Sequence, residues 1–260
     1  MSPNHKVRTL WMAGMLHAFT HVYQVALLPL YFSIQADFKL ASVGQATVLV
    51  TVLMTAYFLP SYPVGVMADR FSRKTMLGWG LLINAVGFIG LGLSRDYTAA
   101  LVCVVISGIG GSFYHPAATA LVARLYPVGT GKALGLTGVG ASIGFFFGPF
   151  YTGWRAAMLE PTLGPAAWRQ PIIELGIAGV IAAGFFAWLA EEAPPAKEQH
   201  APLHAVKMFP TSTLWLFFLA ACFLFSLRDF AGSSMGSLGS LYLQSAQGYN
   251  VRETGSALSW

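Results

Sequence analysis

The chain has 260 residues, of which 55% are apolar and only 10% charged, with a formal net charge of +5. A soluble domain carries charge on about a quarter of its residues, so this composition excludes a water-facing shell and points to a membrane protein. The bases are scattered among apolar runs without a stripe of interleaved aromatics, which excludes a nucleic-acid surface.

Lys6 and Arg8 precede a first apolar run over about 9–33. It is longer than the roughly 7–15-residue core of a secretory signal and no small-residue cleavage site follows, so it reads as a transmembrane helix. Further runs at 41–64, 75–93, 97–124, 133–154, 171–190 and 212–244 each reach the roughly 20 residues needed to cross the hydrocarbon layer. All must be helical, because an open strand cannot satisfy its backbone in lipid. Nine Lys and Arg residues fall in loops on the N-terminal side and five on the other, which predicts a cytoplasmic N-terminus. The longest polar stretch, "EEAPPAKEQHAPLHAVK" at 191–207, reads as a linker. The predicted organisation is a six-helix bundle over 1–190, a cytoplasmic linker over 191–211 and the start of a second bundle over 212–260. At the end, in "VRETGSALSW", Glu253 and Thr254 read as the first turn of an eighth helix, and the chain reads as cut off there. Cys103 and Cys222 lie far apart in apolar runs and are expected to be packing residues. Trp11, Trp154, Trp168 and Trp188 fall near span ends as interfacial anchors do, and Glu174 is expected only to meet the dipole of the sixth helix.

Ionisable groups within a span are costly unless they face a cavity or a partner. His17 and His21 stand four apart on one face of the first span, with Gln24 three residues further along it. Tyr114 and His115 lie in the fourth span, and Arg228 and Asp229 in the seventh, where they can also form an internal ion pair. Asn84 and Ser107 are expected to hydrogen-bond in helix packing. Two imidazoles at i and i+4 can share a metal ion, but no carboxylate or thiolate is near in sequence and His115 would have to arrive from another helix. No metal or other cofactor is expected. Proton handling suits imidazoles better, since they change charge between about pH 5 and 8.

Between the second and third spans, Gly65, Asp69, Arg70, Arg73 and Lys74 form the pattern G-x-x-x-D-R-x-x-R-K. In the fifth span, Gly135, Gly144, Gly148, Pro149 and Gly153 stand in the spacing G-x8-G-x3-G-P-x3-G, and Gly140, Gly144 and Gly148 share a face on which a neighbouring backbone can approach. The first pattern resembles the signature loop of the major facilitator superfamily, with Ser72 in place of a usual Gly and Met67 of a usual Leu. The second resembles the fifth-helix motif of its proton-coupled drug antiporters, with Thr152 replacing a glycine. "GSFYHPAATALVARLYP", "HAFTHVYQVALLPLYF" and "SLRDF" are similar to the fosmidomycin-resistance branch.

The resemblance implies an all-α fold: an N-terminal six-helix bundle of 3+3 inverted repeats plus the first helix of a C-terminal bundle. It also implies that spans one, four and seven line a central cavity. His17, His21, Gln24, Tyr114, His115, Arg228 and Asp229 then become candidates for substrate and proton binding, and the Asp69 loop becomes a cytoplasmic gate. The expected activity is proton-coupled export of a small, drug-like and anionic compound across the inner membrane, with a C-terminal half as the missing partner. Proton-coupled uptake, a non-transporting receptor or assembly subunit, and a membrane metalloenzyme are the competing readings.

Overall fold

The computed structural model describes residues 2–192 and 209–259, which are helical almost throughout. Most of the expected linker, 193–208, lies outside the described residues. The first predicted span is built from α1 (Pro3–Val25), a 3-10 turn at Leu28–Leu30 and α2 (Tyr31–Asp37). Ser2 caps α1 by accepting from the His5 amide, and Pro3 sits in the first turn, where its missing N–H costs nothing. The helix therefore begins well before the apolar run. Pro29, which has no amide to donate, falls in the turn that ends α1's run.

Two predicted spans are interrupted. The second divides into α3 (Val43–Phe58) and α4 (Ser61–Arg70) at Pro60, and the fourth into α6 (Tyr97–Ser112) and α7 (Tyr114–Leu125) at Phe113, just ahead of Pro116. The third and sixth are continuous as α5 (Arg73–Leu93) and α9 (Arg169–Leu189). The fifth, α8 (Thr130–Leu163), outruns its predicted 133–154 and contains Pro149 and Pro161. The seventh is α10 (Ser212–Ser245). Beyond it α11 (Val251–Ala257) opens with a reciprocal capping box between Asn250 and Glu253, so the expected eighth helix does begin there. Helices long and apolar enough to cross a membrane cover Val43–Arg70, Arg73–Leu93, Tyr97–Leu125, Thr130–Leu189 and Ser212–Ser245, the fourth stretch holding both α8 and α9. The polar stripe of α1 dilutes its apolarity, and α1 instead buries one side against α8.

The turns alternate between two ends, as the span order predicts. One end gathers the N-terminus, the α4–α5 turn, the α7–α8 turn and Glu191–Glu192; it is called the motif end below. The opposite end gathers the α2–α3, α5–α6 and α8–α9 connections. Gly164, with φ +56°, reverses the chain between α8 and α9.

Small residues let the helices close up. On α8, Gly140, Gly144 and Gly148 lie against the Gly14 carbonyl, the Ala18 carbonyl and Val22–Val25 of α1, and Gly153 faces Val251 and Gly255 of α11. Gly135 of the same motif faces open space and takes no part in this contact. Ser107 on α6 donates to Asn84 on α5 at 2.5 Å, the packing bond expected from the sequence. Tyr23, Phe88, Phe186 and Trp168 fill the core.

Trp168 corrects an expectation. It is 0% exposed and donates its indole N–H to Asp37 at 2.9 Å, whereas Trp11 and Trp188 are exposed at 61% and 75% as interfacial anchors are. Cys103 packs near Gly90, but Cys222 is exposed, because most of α10 is bare. Near its C-terminal end α10 is tied to the bundle: Ser240 donates to the Leu28 carbonyl, Gln244 to Pro29 at 3.3 Å, and Ser237 meets Tyr31 at 3.1 Å.

Candidate functional site

The i, i+4, i+7 spacing sets His17, His21 and Gln24 on one stripe of α1. The break at Phe113 starts α7 beside that stripe and brings Tyr114 and His115 to it. His17 lies 4.8 Å from His21 and 5.3 Å from His115 between ring centroids, and His21 lies 5.8 Å from His115. Tyr114 stacks on His17 at 4.6 Å and donates its hydroxyl to the Ala13 carbonyl at 2.9 Å. It is buried, so it backs the histidine rather than facing the cavity.

Each of the two α1 imidazoles is held from behind. His17 Nδ1 lies 2.9 Å from the Thr137 carbonyl oxygen, and His21 Nδ1 lies 2.6 Å from Gln24 Oε1. Both partners accept only, so in each ring Nδ1 carries the proton and Nε2 the lone pair. His17 Nε2 is buried and has no hydrogen-bond partner.

A cavity of about 640 Å³ opens in front of these groups, lined by His21, Gln24, His115, Phe145, Arg228 and Asp229 among others. The residues from the first, fourth and seventh spans thus share one chamber. Arg228 and Asp229 also form the internal pair considered from the sequence, with guanidinium–carboxylate distances of 2.7 and 2.9 Å. Their charges cancel locally, and polar groups that can exchange protons or donate hydrogen bonds surround an otherwise apolar wall.

At the motif end, the α4–α5 turn is closed from within the bundle. Glu192, just past α9, accepts from Ser72 Oγ at 2.7 Å and the Lys74 amide at 3.0 Å, and Arg73, itself buried, reaches it at 3.5 Å. The carboxylate therefore sits on the N-terminus of α5, where the helix dipole favours it. Asp69 and Arg70 are exposed, and neither side chain forms a hydrogen bond or ion pair with another described residue. Beside this turn, Glu191 pairs with His5 and Arg8, each at 2.7 Å. Sequence reasoning missed both acids, although an acidic pair after the sixth span and a basic triplet after the second are complementary.

Burial would raise the Glu192 carboxyl, but hydrogen bonds from Ser72 and Lys74, with Arg73 beside them, outweigh it and hold the group below the usual carboxylate range. Since the folded value is the lower one, the stabilisation is complete above the unfolded pKa of about 4.3 and is lost as pH falls through the folded value. Glu192→Gln is expected to cost about 1.5 kcal/mol at neutral pH. It should also flatten the acid limb of a plot of thermal midpoint against pH. An acid limb identical to that of the parent chain would rule this clasp out.

The opposite end has its own polar clusters. Asp37 accepts from Trp168 and from Arg169 Nε at 2.6 Å, while Arg169 also reaches the carbonyls of Gly92 and Ser94. Glu174 does more than meet a helix dipole: it accepts from Tyr151 at 2.5 Å, Arg155 at 2.8 Å and Gln170 at 3.2 Å.

The sequence profile of the Major Facilitator Superfamily matches residues 10–260. The chain belongs to the major facilitator superfamily. It is thus a multi-pass membrane protein of a transporter family, not an enzyme. Multidrug resistance protein MdtH of Shigella dysenteriae serotype 1 (strain Sd197) is 32% identical over 90 residues, 35% of this chain and 22% of that protein. MdtH of Yersinia pestis (strain Pestoides F) is 31% identical over 126 residues, 48% of this chain and 29% of that protein. The matched segments thus span under a third of these relatives' length. In fold, this facilitator chain superposes on a bacterial homologue of the human lysosomal transporter Spinster, crystallised inward-facing and unoccupied. The TM-score is 0.81 at 19% identity, over 99% of this chain and 59% of that one. The inward-facing, occupied form of that homologue gives 0.76 at 20% identity, over 99% and 58%.

Proposed function

We propose that this chain forms the solute-facing wall of a secondary transporter that exports a small, anionic, drug-like compound in exchange for protons by alternating access. The motif end faces the cytoplasm in this reading, and the protein lies in the inner membrane. The observation that carries it is the single chamber shared by His21, Gln24, His115, Arg228 and Asp229, with His17 directly behind. Exchange requires solute and protons to compete for the chamber: the solute hydrogen-bonds the imidazole nitrogens from the cytoplasmic side and leaves when protons arriving from outside take those nitrogens. Arg228 supplies the permanent charge for the anion, at the cost of loosening its pair with Asp229. Asp69, Arg70, Arg73 and Lys74 serve as the cytoplasmic gate, which the Glu192 contact steadies.

Alternating access needs a second bundle across the chamber, which the bare face of α10 is placed to meet. The likeness to multidrug resistance proteins supports export, and "GSFYHPAATALVARLYP" and "SLRDF" support a place in the fosmidomycin-resistance-like branch. The test is uptake of a labelled phosphonate antibiotic into inverted membrane vesicles under an imposed pH gradient. Accumulation that a protonophore collapses, and that His115→Ala and Arg228→Ala each cut at least about tenfold, is the expected result. Unchanged transport in both variants removes the site assignment, and accumulation with the opposite gradient replaces export by symport.

A further inference from the structure

We propose that His17, His21 and His115 form a binding site for one divalent transition-metal cation in the vestibule. The sequence argued against a metal because His115 would have to come from another helix, and the break at Phe113 brings it. One ring nitrogen from each of the three residues lies within 4.8 Å of the others. At metal–nitrogen distances of about 2.0–2.1 Å, nitrogens on a common tetrahedral ion stand about 3.3 Å apart. Binding an ion in this site therefore requires the nitrogens to approach one another by up to about 1.5 Å, through rotation about the imidazole side-chain bonds.

The tautomers fit. His17 and His21 donate their Nδ1 protons to the Thr137 carbonyl and to Gln24, which leaves both Nε2 lone pairs free. This outer-shell arrangement is the one that orients metal-ligating histidines and raises their basicity. His17 Nε2 is moreover buried without a hydrogen-bond partner, although it is an acceptor surrounded by two further imidazoles. His21 and His115 line the cavity, so a fourth coordination position opens to water or to an anionic solute.

Three neutral nitrogen donors select zinc, cobalt, nickel or copper over magnesium or calcium, which prefer oxygen. Arg228 and Asp229 pair with each other, so the chamber offers no excess negative charge and the ligand nitrogens carry the selectivity. The site uses the same vestibule as the transport reading but stands on coordination geometry, and it holds whether or not protons drive transport.

The probe is Co²⁺ added to the full chain purified in detergent, followed by its visible absorption, with Zn²⁺ as competitor. One four-coordinate cobalt per chain, displaced by Zn²⁺ and not by Mg²⁺ or Ca²⁺, is the expected result. Gln24→Leu, which removes an outer-shell acceptor, should weaken binding about tenfold, and replacing all three histidines by Ala should abolish it. His5→Gln, at the motif end, should leave it unchanged. X-ray absorption of the zinc-loaded parent chain should count three imidazoles. Fewer than three, no cobalt bound by the parent, or binding that survives the triple variant overturns the site. Because these are binding measurements, a failure of vesicle transport leaves their outcome separate.

Discussion

A Gly140→Val chain is expected to lose the docking of α1 on α8 and to disappear from the monodisperse peak when the detergent-solubilised protein is sized. A Cβ at this position would run into the Gly14 carbonyl, a backbone atom that cannot rotate away. The neighbouring contacts at Gly144 and Gly148 fix the same helix pair, so the strain has no easy direction of relief. Overpacking a closed contact costs about 1–3 kcal/mol, and more where backbone meets backbone. Within lipid no hydrophobic drive between helices offsets it, because close packing of small residues is itself the attraction. The same helix supplies the control. Gly135 and Gly138 face open space, so Gly138→Ala should be tolerated or stabilise by up to about 1 kcal/mol through helix propensity. If Gly140→Val and Gly138→Ala melt together, the glycine face does not hold α1.

That contrast marks how far the sequence could be read. The four-residue recurrence of Gly140, Gly144 and Gly148 announced a close approach, but spacing alone could not say that Gly135, which belongs to the same motif, faces nothing. Spans were legible because hydropathy is local, and so was the eighth-helix start, whose Asn250–Glu253 cap lies within one turn. The stripe of His17, His21 and Gln24 was legible for the same reason. The helix breaks at Pro60 and Phe113 were missed because apolar composition runs straight through them, although Pro116 marks the second. Pairings between distant segments left no periodic trace. Glu192 meets Ser72 across 120 positions, and Arg169 meets Asp37 across 132. Trp168 looked like an interfacial anchor because it sits at a span end, yet its indole N–H is consumed by Asp37 inside the bundle.

Asp37→Ala is expected to have the second large effect, a loss of about 2–3 kcal/mol seen as a lowered thermal midpoint in detergent. The carboxylate is the shared acceptor for the Trp168 indole and the Arg169 guanidinium, and their side chains close the α2, α5 and α9 ends together. Arg169 is 21% exposed and Asp37 17%, so water screens the pair only in part, and the cost falls short of that for a wholly buried ion pair. Removing Asp37 leaves the fully buried Trp168 with an unmet donor and Arg169 with a charge answered only by the Gly92 and Ser94 carbonyls. Most of the loss therefore comes from the partners left behind rather than from the attraction removed. It follows that Asp37→Ala combined with Arg169→Met should recover part of the midpoint, since the second change removes the stranded charge and keeps the packing against Phe38 and Trp168. A double variant as unstable as the two single losses added together would show that the two residues act independently and that the cluster is not a unit.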